Sequence, residues 1–129
     1  VPEARLTNAD FERLVDTSDA WIVEPTGIRE RRIAGEGETT ATLGITAGGA
    51  ALKQAGITSD DVDLLVLATT TPEQPIPQTS AFVQEGLGLR CGAFDVSVGR
   101  AGFVYALVAG STFMLGGGLV RVLVVGPRR

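Results

Sequence analysis

Phe94-Asp95-Val96-Ser97-Val98-Gly99-Arg100-Ala101-Gly102-Phe103 is the stretch that decides the fold. Phe94 to Val96 closes a short apolar strand, Gly99 supplies a turn, and Ala101 opens a long apolar helix. A strand that feeds directly into a helix gathers backbone N–H groups and the positive end of the helix dipole at one spot. A thiolate held there has a lowered pKa and is a good nucleophile. In this chain the elbow carries Arg100 instead. A guanidinium is a fixed cation with no free lone pair for attack. At the positive end of a helix both its charge and its desolvation are unfavourable, so the expectation is that Arg100 turns out to solvent or that the elbow is remodelled.

Working outward, Ala101 to Val120 is a run of 20 uncharged residues between Arg100 and Arg121. Length alone qualifies it as a membrane span. Gly102, Gly110, Gly116-Gly117-Gly118, Ser111 and Thr112 break it up, and the pattern reads instead as a helix over 101–115, a glycine turn and a strand over 119–125. Upstream, Asp63 to Thr69 holds the buried-strand run Leu-Leu-Val-Leu-Ala. A helix over 39–55 ends at Gly56, which suits the left-handed stop position with Ile57 reaching back to Leu52. Gly44 and Gly48 lie on one face of that helix and imply close packing against a neighbour. A loop over 70–77 leads to a helix over 78–87 stopped by Gly88, then a strand over 93–96. Nearer the start, 1–6 reads as irregular and 9–15 as a short amphipathic helix. A turn of helix capped at Thr17-Ser18-Asp19 closes at Pro25 and Gly27, and 28–33 reads as a short strand. Strands alternating with helices imply an α/β fold with a mostly parallel sheet covered by helices.

Composition bounds the chemistry. The chain has 129 residues, no histidine, one cysteine and a net charge of −4. Without histidine it supplies no Ser-His or Cys-His pair and no imidazole ligand. One cysteine excludes an internal disulfide and a cysteine zinc cluster. The acidic balance argues against a nucleic-acid partner. The lone thiol and the lack of a basic-then-apolar leader fit a cytoplasmic protein. The acidic patch Asp60-Asp61-Asp63 reads as a solvated turn, so no metal site is expected. Gly86-x-Gly88 precedes a strand and lacks the third glycine of a dinucleotide loop. Cys91 lies nine residues before Arg100, on the far side of the strand, and reads as a structural thiol.

A set of stretches spread over nearly the whole chain carries a family resemblance: Leu6-Thr7-Asn8-Ala9-Asp10, Val15-Asp16-Thr17-Ser18-Asp19-Ala20-Trp21-Ile22, Thr26-Gly27-Ile28-Arg29-Glu30-Arg31, Leu67-Ala68-Thr69-Thr70-Thr71, Ala93-Phe94-Asp95-Val96, Ala101-Gly102-Phe103-Val104-Tyr105-Ala106-Leu107 and Leu123-Val124-Val125-Gly126. The chain resembles the N-terminal part of β-ketoacyl-acyl carrier protein synthase III, a family of thiolase-like condensing enzymes. The resemblance implies acyltransferase chemistry. An acyl group passes from acyl-CoA to a cysteine at the elbow and is condensed with malonyl-acyl carrier protein to start fatty-acid or polyketide synthesis. Histidine and asparagine from the C-terminal half of the family complete the site. It also implies homodimers, coenzyme A thioester as substrate rather than a permanently bound cofactor, acyl carrier protein as partner, and no membrane partner.

Set against that pattern, Arg100 stands where the family has its nucleophile, so no catalytic residue is intact. Residues 1–129 read as a partial thiolase-like N-terminal domain, with the family's first strand expected before Val1 and its C-terminal half expected after Arg129. By resemblance Trp21, Thr17 and Arg29 are coenzyme A contacts, although Pro25 replaces an arginine that the family uses for the phosphates. Ile76 matches the position that reaches across the dimer into the partner's acyl pocket. Two readings follow: a catalytically incompetent fragment or variant of the condensing enzyme, or a non-catalytic module for binding coenzyme A or acyl carrier protein, or for dimerisation.

Overall fold

The computed structural model describes residues 1–129, which form two compact units, 1–38 and 39–129.

In the first unit, β1 (Arg5–Thr7) pairs antiparallel with β2 (Glu30–Arg32), Leu6 opposite Arg31. The reading of 1–6 as irregular is corrected here: a strand this short shows no periodicity of its own, and its partner lies 25 residues on. Between them run α1 (Asn8–Glu12) and α2 (Asp19–Thr26). Thr7 caps α1 in a reciprocal box with Asp10, whose carboxyl is held below the usual range by the side-chain and backbone hydrogen bonds from Thr7. α1 is shorter than expected, and Leu14 and Val15 are exposed beyond its end. Ser18 caps α2, which continues through Pro25 and ends at Gly27 with φ 67°. Pro25 stands in the last turn, so it removes one hydrogen bond near the end without breaking the helix. Buried Asn8 ties the unit together. Its amide donates to Asp19 Oδ1 at 2.7 Å and to the Ile28 carbonyl at 2.9 Å, and its oxygen accepts from Arg31.

The second unit is α3 (Thr40–Ala55), a single 3-10 turn (Ser59–Asp61), β3 (Leu64–Ala68), α4 (Thr79–Leu87), β4 (Gly92–Val96), α5 (Gly102–Leu115) and β5 (Val122–Val125). The sheet is wholly parallel, in the order β4-β3-β5. Alternate residues of β3 serve two cores. Leu65 and Leu67 join Leu123, Val125, Leu52 and Val83 under α3 and α4, whereas Val66 and Ala68 join Ala106 under α5.

Small residues set the helix spacing. A methyl on Gly44 would stand 2.8 Å from Val83 Cγ2, and one on Gly48 2.7 Å from Leu87 Cδ1, so α4 approaches α3 too closely for alanine. At the end of α3, the N–H groups of Gly56 and Ile57 both return to the Leu52 carbonyl, and Gly56 adopts φ 67°. The acidic turn is engaged locally. Asp61 accepts from Thr58, and Asp63 accepts the Val120 and Arg121 N–H groups at 2.7 and 2.8 Å, fastening the start of β5.

α5 sits on the sheet through Gly102, Ala106 and Gly110, a stripe at every fourth residue. Most of its remaining surface faces outward, including Phe103, Tyr105, Val108, Phe113 and Leu115. The long apolar run is thus helix, turn and strand, and no helix is long and apolar enough to cross a membrane.

Candidate active site

The elbow forms where β4 ends beside β3. The Thr69 N–H extends the ladder to the Val96 carbonyl at 3.2 Å, after which the chain turns through Ser97 to Arg100. Gly99 accepts the Gly102 N–H at 3.0 Å, and Ala101 accepts that of Tyr105 at 3.0 Å. Ala101 offers no side-chain cap to α5, and the first turn contains no acidic residue. The other α-helices differ. Glu73 accepts the Ala41 N–H of α3, and Asp95 accepts the Thr79 and Ser80 N–H groups of α4 at 3.1 and 2.8 Å.

A cavity of about 120 Å³ opens at the C-terminal ends of β3 and β5, against the elbow. Ligand sites of parallel α/β sheets form at this edge. Thr69 and Thr70 line it from the segment after β3, Val98 to Arg100 and Phe103 from the elbow and α5, and Gly126 to Arg128 from the segment after β5. No carboxylate lines it, and neither Arg100 nor Arg128 is ion-paired. Arg100 is exposed, so its guanidinium keeps its water and the elbow keeps its strand–turn–helix shape.

Cys91 lies just before the opposite end of β4 and is not in the cavity. It is half-buried against the core under α3 and α4. Burial pushes its thiol up and the Asp63 charge adds to that, so the protonated form is favoured.

Trp21 and Thr17, with Asp16 and Ser18, border one open surface recess. Trp21 is 72% exposed, while the Thr17 hydroxyl is buried without a hydrogen-bond partner. Arg29 does not border that recess; it is exposed at the approach to β2, where its carbonyl accepts the Asn8 N–H at 3.3 Å. Ile76 is 84% exposed on the loop between β3 and α4, its carbonyl accepting from the Gln74 side chain at 2.9 Å.

Sequence reasoning missed Arg128 and Thr70 as cavity residues and Glu73 and Asp95 as helix caps. The rule that sites collect at the carboxyl ends of parallel strands would have pointed to Thr70 and Arg128.

No family model matches the chain. It is 51% identical over 127 residues to the β-ketoacyl-[acyl-carrier-protein] synthase III of Sinorhizobium medicae, covering 98% of this chain and 39% of that protein. It is 52% identical over 128 residues to the protein of that name from Thiobacillus denitrificans, covering 98% and 40%. The crystal structure of 3-oxoacyl-[acyl-carrier-protein] synthase III from Aquifex aeolicus superposes with a TM-score of 0.91 at 43% identity, over 99% of this chain and 42% of that one. The fold is therefore α/β and thiolase-like. More narrowly, the chain is homologous to the N-terminal part of β-ketoacyl-[acyl-carrier-protein] synthase III. It spans about two fifths of the length of the curated relatives it matches.

Proposed function

We propose that this chain carries the condensing-enzyme elbow without acyl-transfer chemistry: a non-catalytic variant of the N-terminal part of a family that joins acyl-CoA to malonyl-acyl carrier protein. The observation that carries this reading is Arg100 at the junction of β4 and α5. A guanidinium cannot open a thioester. The hydroxyls of Thr69 and Thr70 stand at the cavity, but a hydroxyl needs a base to take its proton. The chain has no histidine, and no carboxylate lines the cavity. Cys91 is kept protonated and sits about 15 Å away along β4, by strand length.

Incubation with acetyl-CoA followed by mass spectrometry tests this. The expected result is an unmodified chain; a thiol-linked acetyl group on Cys91 overturns it. Arg100→Cys alone is expected not to yield ketoacyl product, and measurable product from that variant would show that the elbow thiol was the sole deficiency.

The exposed Trp21 favours a second reading, a module that binds coenzyme A by stacking its adenine. Trp21 is the chain's single tryptophan, so its fluorescence reports that recess alone. Saturable quenching by coenzyme A supports binding, and an unchanged spectrum removes it.

A further inference from the structure

The cavity at the elbow has a chemistry of its own, independent of whether the chain ever condensed acyl groups. Arg100 and Arg128 come from segments 28 residues apart in sequence and line the same space of about 120 Å³. Neither is paired with a carboxylate, in a chain whose net charge is −4. The N–H groups of Phe103 and Val104, in the first turn of α5, have no acceptor from the backbone outside the helix or from any side chain. The Thr70 hydroxyl forms no hydrogen bond within the chain, and Thr69 adds a second hydroxyl to the lining.

Arg100 and Arg128, both exposed and unpaired, border this space beside the first turn of α5, and no carboxylate offsets them. An anion bound there is attracted by both side chains and by the helix N-terminus. We infer that the elbow cavity is an oxyanion pocket, in which Arg100 and Arg128 hold a phosphate-sized group through charge-assisted hydrogen bonds. Guanidinium forks match the tetrahedral oxygens of phosphate, and two fixed cations favour a dianion over a monoanion. The space of about 120 Å³ has room for a phosphate group at the elbow. The ligand is free phosphate or the terminal phosphate of a larger molecule whose remainder stays outside. The replacement that removes nucleophilic chemistry from this site thus supplies one half of a binding clamp.

Equilibrium dialysis of the full chain with radiolabelled inorganic phosphate, at fixed ionic strength, tests the proposal. Saturable binding of one phosphate per chain is expected. Arg100→Gln and Arg128→Gln should each weaken it by about tenfold or more, the loss of a charge-assisted contact. Arg100→Lys keeps the charge and should lose less, while Arg90→Gln, at an exposed arginine outside the cavity, should change nothing. Displacement of the label by glycerol phosphate assigns the ester as the natural form and its failure assigns the free ion; either upholds the pocket. Binding that does not saturate, that survives both Gln variants, or that falls equally in Arg90→Gln overturns it. So does acetate displacing the label more strongly than phosphate, since a dianion site should rank them the other way.

Discussion

Ser80 donates its backbone N–H to Asp95 Oδ1 at 2.8 Å, joining the first turn of α4 to the C-terminal end of β4. Asp95 Oδ2 takes the adjacent Thr79 N–H at 3.1 Å, so one carboxylate closes two of the unsatisfied donors of α4. Gln78, at the cap position, contributes no side-chain bond. Asp95→Ala should therefore cost about 1–3 kcal/mol, because it strands buried donors at Thr79 and Ser80. Asp95→Asn keeps one acceptor oxygen and should fall between. Urea midpoints of the three proteins check the order.

The α3 glycines predict opposite signs for one substitution. Gly44→Ala drives a methyl to 2.8 Å from the fully buried Val83 and should destabilise by about 1–3 kcal/mol. Gly49 has only Leu87 Cδ2 at 3.7 Å, an ordinary contact. Gly49→Ala should stabilise by about 0.5–1 kcal/mol through helix propensity. Thermal melts of the two variants distinguish packing from propensity.

Glu73 makes stability depend on acid. Burial works to raise its carboxyl, but the hydrogen bonds from the Ala41 N–H and from Thr39 and Thr79 outweigh it and hold the group below its ordinary value. Its stabilising contribution is complete above the unfolded value and disappears as pH falls through the lower folded value. Asp10, Asp61 and Asp63 act in the same direction. Glu73→Gln should flatten the loss of stability between neutral pH and about pH 3, measured as urea midpoint against pH. An acid limb as steep as the wild type's would remove Glu73 from the account.

The outward face of α5 predicts self-association. Leu115 is 88% exposed, and Val108, Tyr105 and Phe113 continue the apolar surface. Sedimentation velocity should show species larger than the monomer that diminish in Val108→Glu with Leu115→Glu. Both substitutions lie off the Gly102-Ala106-Gly110 stripe, so the packing of α5 on the sheet is kept.

The second unit was largely legible because its signals are local. The apolar run of β3, the glycine stops at Gly56 and Gly88, and the close approach at Gly44 and Gly48 each follow from residues a few positions apart. The misses are contacts between distant segments. β1 is a strand only because Glu30–Arg32 pairs with it, and Glu73 caps a helix 32 residues before it. The elbow was readable as strand, turn and helix, and Arg100 as a non-nucleophile. Arg128 borders the same cavity because β5 lies beside β3, a pairing of distant segments that only the general rule for the carboxyl ends of parallel strands could have anticipated.

The place of β3 in the sheet sets an order for folding. Its neighbours are both synthesised later, with Leu64 facing Gly92 on one side and Val122 on the other. Pairing with β4 closes a short loop, whereas pairing with β5 closes one about twice as long, and longer closures lose more chain entropy. A nascent chain that has released β3 and β4 but not β5 therefore presents an apolar strand with one open edge, a template for pairing with another molecule. Chaperone dependence during synthesis should peak in the interval before Val122 to Val125 emerge, and ribosome-bound chains arrested on either side of that point would reveal it.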